Sequence, residues 1–215
     1  MSSYEFIIDG LRYSFSTLSG FDGCPYSFKL AKIDLVERVN NYYGEFGTLV
    51  HECMEKYFKG ELESFELSQY YKERYGDLIV SHLPDNQRYL EDRYKEQGQT
   101  FFDFFYFDKN NYNVLAVEDN IEYEFFGYPF IAKPDLVLHK KENEKIVLID
   151  YKTSAPWKKD RNGKEKMDEE KIEGYVRQMY TYTYALRNYR NLAVDKVTLW
   201  FPRLDKTYSF DVDEA

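Results

Sequence analysis

Lys133-Pro134-Asp135 interrupts one apolar run of strand-like composition and Asp150-Tyr151-Lys152 closes the next, so that Asp135, Asp150 and Lys152 supply two carboxylates and an ammonium. A hairpin turning at Glu142 and Asn143 would set Asp135 directly opposite Asp150. Opposed residues of an antiparallel pair hold their Cβ atoms about 4.5–5.5 Å apart. Two carboxylates that close repel unless a cation lies between them. Asp150 and Lys152, two apart on one strand, point to the same face. Such a set suits phosphodiester hydrolysis. Carboxylate oxygens take a hard divalent ion such as Mg²⁺, which lowers the pKa of a bound water and offsets charge on the phosphate. A nearby lysine can orient that water or stabilise the transition state. Taken singly, Pro-Asp and Asp-x-Lys are short enough to recur by chance, and an exposed ion pair at a strand end has the same signature.

Two helices add to this set. Over residues 43–58 the apolar positions Leu49, Val50, Cys53, Met54, Tyr57 and Phe58 recur at helical spacing. His51 falls at the edge of that stripe, where a neutral imidazole can complete a metal site or simply pack, half-buried, against a sheet. In a later helix over residues 172–189, Gln178 and Tyr182 are four apart on one flank, bordering the stripe of Ile172, Val176, Met179 and Thr183. Gln178 there suits a phosphate or a metal-bound water, and an ordinary surface pair would look the same.

The elements that must position these residues follow from the pattern. Residues 16–34 read as a helix broken at Gly23-Cys24-Pro25, and residues 65–80 and 87–107 as two more helices. From Val114 onward the composition turns β-branched and aromatic, giving strands at 114–117, 121–126, 130–138, 145–151, 197–201 and 207–212. Residues 155–171 are charged and poor in apolar side chains, which predicts a mobile loop. The fold class expected is α/β (α+β), a central mixed sheet flanked by helices. It forms one domain over residues 1–215, with a mainly helical part to about residue 110.

Composition narrows the function class. The chain has 215 residues, 43% of them hydrophobic, enough for one sizeable core. There is no apolar run long enough to span a membrane, and residues 1–11 lack the basic start and apolar stretch of a secretory leader. Two cysteines, Cys24 and Cys53, are too few for a disulfide framework and fit a reducing cytoplasm. The balance of 29 basic against 38 acidic residues argues against tight metal-free binding to DNA, although only one groove of a nuclease has to be basic. Most of the 22 Tyr and 17 Phe are expected in the core or half-buried, with some able to stack on unpaired bases.

The order Gly47-Thr48-Leu49-Val50-His51, Pro134-Asp135, Asp150-Tyr151-Lys152 and Gln178-Met179-Tyr180-Thr181-Tyr182 resembles the RecB-like branch of the PD-(D/E)XK nucleases. That branch is also seen in helicase-nucleases and CRISPR-associated adaptation nucleases. The resemblance implies a restriction-endonuclease-like core and a Mg²⁺- or Mn²⁺-dependent exonuclease acting on linear DNA. His51, Asp135, Asp150 and the Tyr151 carbonyl would be metal ligands, and Lys152 the catalytic lysine. Gln178 and Tyr182 would line the scissile phosphate, with Glu118 in support. Lys158, Lys159, Arg161 and Lys164, in the loop after the catalytic strand, could contact phosphates or remain a solvated loop. Several relatives hold an iron–sulfur cluster on four cysteines, and no cysteine follows Cys53 here, so no cluster is expected. Cys24 then reads as a small buried residue. No phosphate-binding G-x-x-x-x-G-K-[ST] loop is present, so any helicase or recombination partner would be a separate chain. A second reading is a catalytically silent or partner-dependent DNA-binding subunit of such a complex, and a homo-oligomer is compatible with either.

Overall fold

A computed structural model describes residues 8–212 apart from 9 and 38. Most of the N-terminal stretch read as lacking a leader therefore lies outside the described residues. The chain begins with helix α1 (Phe15–Gly23) and the short α2 (Pro25–Phe28), which runs into a π-turn, Lys29–Ile33. The expected break falls at Cys24, but Cys24 is exposed rather than buried. Its sulfur accepts from Ser27 N and caps the start of α2, which keeps the side chain at the surface.

Three longer helices follow: α3 (Tyr42–Phe58), α4 (Leu67–Leu78) and α5 (Tyr89–Asp103). The Asn41 side chain caps α3 by accepting from Gly44 N at 3.0 Å. From there Tyr42, Phe46, Leu49, Val50, Cys53, Met54, Tyr57 and Phe58 form one buried face.

The remainder is β1 (Tyr112–Val117), β2 (Ile121–Phe125), β3 (Tyr128–Ala132), β4 (Leu136–Lys140), β5 (Lys145–Tyr151), β6 (Trp157–Lys159), β7 (Glu165–Met167), helix α6 (Glu169–Arg190), β8 (Lys196–Phe201) and β9 (Lys206–Asp211). The main sheet has the order β1-β4-β5-β8-β9. All its pairs are antiparallel except β5–β8, the two strands that α6 connects. The mixed sheet flanked by helices is therefore as expected.

The structure differs from the sequence reading at two further places. The run expected as one strand over 130–138 is two strands in different sheets, β3 pairing with β2 and bridging to Tyr13 while β4 joins the main sheet. Pro134 has no N–H to continue the ladder, so the chain changes sheet across Lys133-Pro134-Asp135. The charged segment expected as a mobile loop forms the β6–β7 hairpin. Asp160 Oδ1 accepts from the backbone N of Asn162 and Lys164, Gly163 takes φ 76°, and Trp157 anchors the hairpin on Phe201.

The two faces of the sheet bury different partners. Leu136, Leu138, Ile149 and Tyr151 pack against α3, α4 and α5. Val137, Leu148, Val197 and Leu199 pack against α6 and the β2–β3 hairpin. β5 is thus covered on both sides, which explains its unbroken apolar run from Ile146 to Ile149.

Glu45 ties α3 to the chain leaving α4. It is 8% exposed and accepts from Val80 N, Ser81 N and Ser81 Oγ at 3.0, 2.8 and 2.7 Å. Burial works to raise its pKa, but these donors outweigh burial and hold it below the usual carboxylate value. A depressed folded-state pKa contributes stability above the unfolded value, and that stability is lost as pH falls through the folded one. Glu45→Gln is expected to cost about 1–2 kcal/mol at neutral pH, the gap to wild type closing below about pH 4; urea melts between pH 7 and 3 measure this. Where α5 meets α4, a Cβ at Gly98 would lie 2.7 Å from Cζ of the buried Tyr71. Gly98→Ala gains about 1 kcal/mol of helix propensity against roughly 1–3 kcal/mol of overpacking. A lower melting temperature in thermal denaturation is the expected result.

Candidate functional site

The turn between β4 and β5 is centred on Glu142 and Asn143, and pairs such as Leu136 with Ile149 follow from it. Continued by one residue, that register brings Asp135 opposite Asp150, as the sequence predicts. By the alternation along each strand, Asp135 shares the α6 face with Val137, and Asp150 shares it with Leu148. α6 crosses that face carrying Gln178 and Tyr182. His51 arrives from the other layer, on α3, over the rim of the sheet. The result is a cleft of roughly 410 Å³ lined by His51, Glu118, Lys133, Asp135, Asp150, Tyr151, Lys152, Thr153, Ser154, Gln178 and Tyr182.

Two clusters meet in this cleft. In the first, His51 Nδ1 is 3.2 Å from Glu118 Oε1 and 3.5 Å from Asp135 Oδ1, and Nε2 is 3.1 Å from the Tyr151 carbonyl. Asp135 Oδ2 accepts from Tyr151 N at 2.6 Å, which fixes the carboxylate against β5. Glu118 also meets Lys133 Nζ at 2.6 Å. Burial opposes charge on His51, yet the Asp135 and Glu118 carboxylates prevail and push its pKa up to about 10. Burial likewise works to raise Glu118, but His51 and Lys133 together hold it below its ordinary value.

The second cluster is a polar chain. Lys152 Nζ lies 2.6 Å from Asp150 Oδ2 and donates to Gln178 Oε1 at 2.7 Å; Gln178 Nε2 donates to the Tyr182 hydroxyl at 2.9 Å. Burial raises the pKa of Asp150 against the pull of Lys152, and the Asp135 carboxylate adds to the rise. For Lys152, burial works to lower the pKa, but Asp150 dominates and the amine is held above its usual value. Asp150 is 2% exposed, and the Lys152 ammonium reaches Oδ2 without the directional geometry of a hydrogen bond. That oxygen keeps lone pairs for a further cation.

The donor chemistry fits a hard divalent ion. His51, Glu118 and Asp135 place ligand atoms within 4.8 Å of one another, and the Tyr151 carbonyl touches the same imidazole. The carboxylate and carbonyl oxygens suit a hard divalent ion, and the imidazole nitrogen adds one softer donor. Asp150, turned to Lys152, borders this group.

Sequence reasoning placed His51, Asp135, Asp150, Tyr151, Lys152, Gln178 and Tyr182, and all seven line the one cleft. The four basic residues after β5 do not line it; they are exposed on the β6–β7 hairpin and its turn. Lys158 is paired with Asp168 at 2.5 Å, while Lys159, Arg161 and Lys164 face solvent. Glu118 was given only a supporting part and Lys133 none. The backbone at Glu118 has φ 52°, in the left-handed region unusual for a side chain of this size. Its N–H donates to Asp135 O at 3.0 Å. That geometry turns the carboxylate into the cleft and leaves no mark in the sequence.

Comparison with known proteins bears on this site. A family model described as the PD-(D/E)XK nuclease superfamily matches residues 12–212. A solved structure of a provisionally named exonuclease from Eubacterium rectale superposes with a TM-score of 0.51 at 14% sequence identity. The match covers 99% of this chain and 76% of that one, and at such identity it speaks to fold alone. No curated protein matches the chain.

If Glu118 is a metal donor, Glu118→Gln should weaken Mn²⁺ binding at least about tenfold while leaving the circular dichroism spectrum unchanged. Calorimetric titration reads the affinity, and an unaltered value would remove Glu118 from the donor set.

Proposed function

The chain belongs to the PD-(D/E)XK nuclease superfamily, and on that premise we propose that it is a divalent-metal-dependent exonuclease of the RecB-like branch, hydrolysing phosphodiester bonds of linear DNA. The observation that carries this reading is the meeting, in one cleft, of the His51–Glu118–Asp135 donor set and the Asp150–Lys152–Gln178–Tyr182 chain. His51, Asp135, Asp150 and the Tyr151 carbonyl, with Glu118, are assigned as the residues that would hold Mg²⁺ or Mn²⁺. When bound, such an ion supplies Lewis acidity and a water of lowered pKa.

The protein's own groups do the rest. Lys152 stays an ammonium, because Asp150 outweighs the effect of its burial. It therefore serves as a hydrogen-bond donor to a phosphate oxygen or to the attacking water, not as a base. Gln178 Oε1 fixes the direction of that ammonium, and Tyr182, bonded to the Gln178 amide, fixes Gln178. Asp135 is held by Tyr151 N and cannot rotate away from the cleft without breaking that bond. Preorganised charge of this kind needs no rearrangement as the phosphate gains negative charge. Lys159, Arg161 and Lys164, free of carboxylate partners among the described residues, are proposed to contact DNA outside the cleft. A role in repair, recombination or mobile-element processing follows from the branch assignment alone. No helix among the described residues is long and apolar enough to cross a membrane.

The net charge of -9 favours a second reading, in which cutting depends on a partner that delivers the strand. End-labelled single- and double-stranded DNA, and RNA of the same sequence, incubated with Mg²⁺, Mn²⁺ or EDTA, separate the two. The expected outcome is metal-dependent shortening of DNA from an end, reduced by at least about 10²-fold in Lys152→Ala. A folded wild type that binds DNA but cuts nothing would favour the partner-dependent subunit, and cutting that survives Lys152→Ala would overturn the site.

A further inference from the structure

The turn that leaves β5, Thr153-Ser154-Ala155, is gripped by two cations, neither of which has a carboxylate within ion-pair distance among the described residues. Lys171, in the first turn of α6, donates from Nζ to Ser154 Oγ and, at 3.1 Å, to Ala155 O. Arg203, just beyond β8, donates from Nε to Thr153 O at 3.2 Å and from Nη1 to Gln97 Oε1. Its guanidinium lies 4.0 Å over the Tyr94 ring. All the partners of both side chains are neutral. Other basic groups nearby are paired with an acid: Lys133 with Glu118, Lys152 with Asp150, Lys158 with Asp168, Lys206 with Glu165.

Both cations hold the turn whose Thr153 and Ser154 line the cleft; neither lines the cleft itself, and Arg203 borders the neighbouring cavity beside Gln97 and Pro202. β5 and β8 are parallel neighbours, with Tyr151 beside Trp200 and Lys152 N bonded to Trp200 O. The residues following the two strands therefore emerge side by side on one rim. Tyr175 closes the group: its hydroxyl donates to Ser154 O at 3.2 Å, and its ring lies 5.1 Å from Lys152 Nζ. Burial lowers the pKa of Lys171; Asp168 offsets part of that, and the Lys158 and Arg203 cations add to it. With only neutral partners among the described residues, the two cations leave positive charge around the turn that follows Lys152, where an anion would relieve it.

We propose that Lys171 and Arg203, which hold the Thr153–Ala155 turn from α6 and from the end of β8, form a phosphate subsite for the substrate strand next to the scissile position. This rests on the nuclease reading of the same cleft and extends it to how the strand is held. The charge of a phosphate, not the identity of a base, is what two cations and a neutral turn recognise. The phosphate is either a backbone phosphodiester or the terminal monoester of the strand.

Steady-state cleavage of a short single-stranded oligonucleotide across a range of salt concentrations tests this, with a 5′-phosphate in one arm and a 5′-hydroxyl in the other. Lys171→Gln keeps a donor for Ser154 and removes only the charge. It is expected to raise KM about 5- to 10-fold with kcat within about twofold, and to flatten the salt dependence of log(kcat/KM) by about 0.7. Lys171→Arg should restore both. Arg203→Lys should flatten nothing, whereas Arg203→Gln should act as Lys171→Gln does, with the melting temperature recorded to exclude unfolding. Lys140→Gln, at the opposite end of β4, is the charge control. A wild-type preference for the 5′-phosphate that Lys171→Gln abolishes assigns the terminal monoester; equal losses in both arms assign an internal phosphodiester. Unchanged salt slopes in folded Lys171→Gln and Arg203→Gln, with wild type cutting normally, overturn the subsite alone. A wild type that neither binds nor cuts DNA removes the nuclease reading, and the subsite with it.

Discussion

Asp135 and Asp150 are 6% and 2% exposed and stand opposite each other where β4 and β5 meet the rim of the sheet. Taking one carboxylate out of water costs several kcal/mol even after relaxation, and a second beside it adds repulsion. The surrounding structure can be understood as the means of meeting that cost. Lys152 sits against Asp150, Tyr151 N donates to Asp135, and His51 is driven towards its charged form by the acids around it. Buried acids compensated by side chains that a metal ion or an anion could displace make a reactive rim, not a stable one. The stability has to come from the layers on either side.

Those layers explain why so many elements converge on one short strand. β5 is covered on both faces and can therefore project its C-terminal residues into a cleft walled by helices from opposite sides. α3 leans over the rim with His51, while α6 lies across the other face with Gln178 and Tyr182. The parallel pairing of β5 with β8 requires a long crossover, and α6 supplies it. The helix that closes the topology thus also carries the residues that hold Lys152 in place. Pro134 has a comparable double role. By ending the ladder of β3 it lets the chain change sheets, and Asp135 is the first residue after the change.

An acidic chain proposed to act on a polyanion has to separate attraction from net charge. Here three carboxylates, Glu118, Asp135 and Asp150, are drawn into the cleft, and several surface acids are matched by a lysine or arginine nearby. What matters for a strand in the cleft is the local field at the ends of β5 and β8. The total of -9 has less bearing on it, because charges farther off than about a Debye length are screened at physiological salt.

Much of this was legible in the sequence because it depends on local pattern. The apolar spacing of α3, the strand-like runs and the position of the β4–β5 turn follow from short-range periodicity. Register then carries Asp135 to Asp150 and places Asp150 and Lys152 on one face. The motif order added His51, Gln178 and Tyr182, each a side chain on a helix. What the sequence could not disclose depends on backbone conformation or on contacts between distant segments. The left-handed turn at Glu118 and the sheet change at Pro134 are conformational choices made under tertiary constraint. The β6–β7 hairpin forms on so charged a segment because Trp157 finds Phe201, far along the chain. Whether a cation is free or paired is likewise a matter of which acid the fold brings near it: Lys158 meets Asp168, whereas Lys171 and Arg203 meet only neutral oxygens. Sequence by itself determined which residues could do chemistry and the strands and helices that bear them; only the tertiary structure decided their charge partners, because electrostatic compensation acts through space and not along the chain.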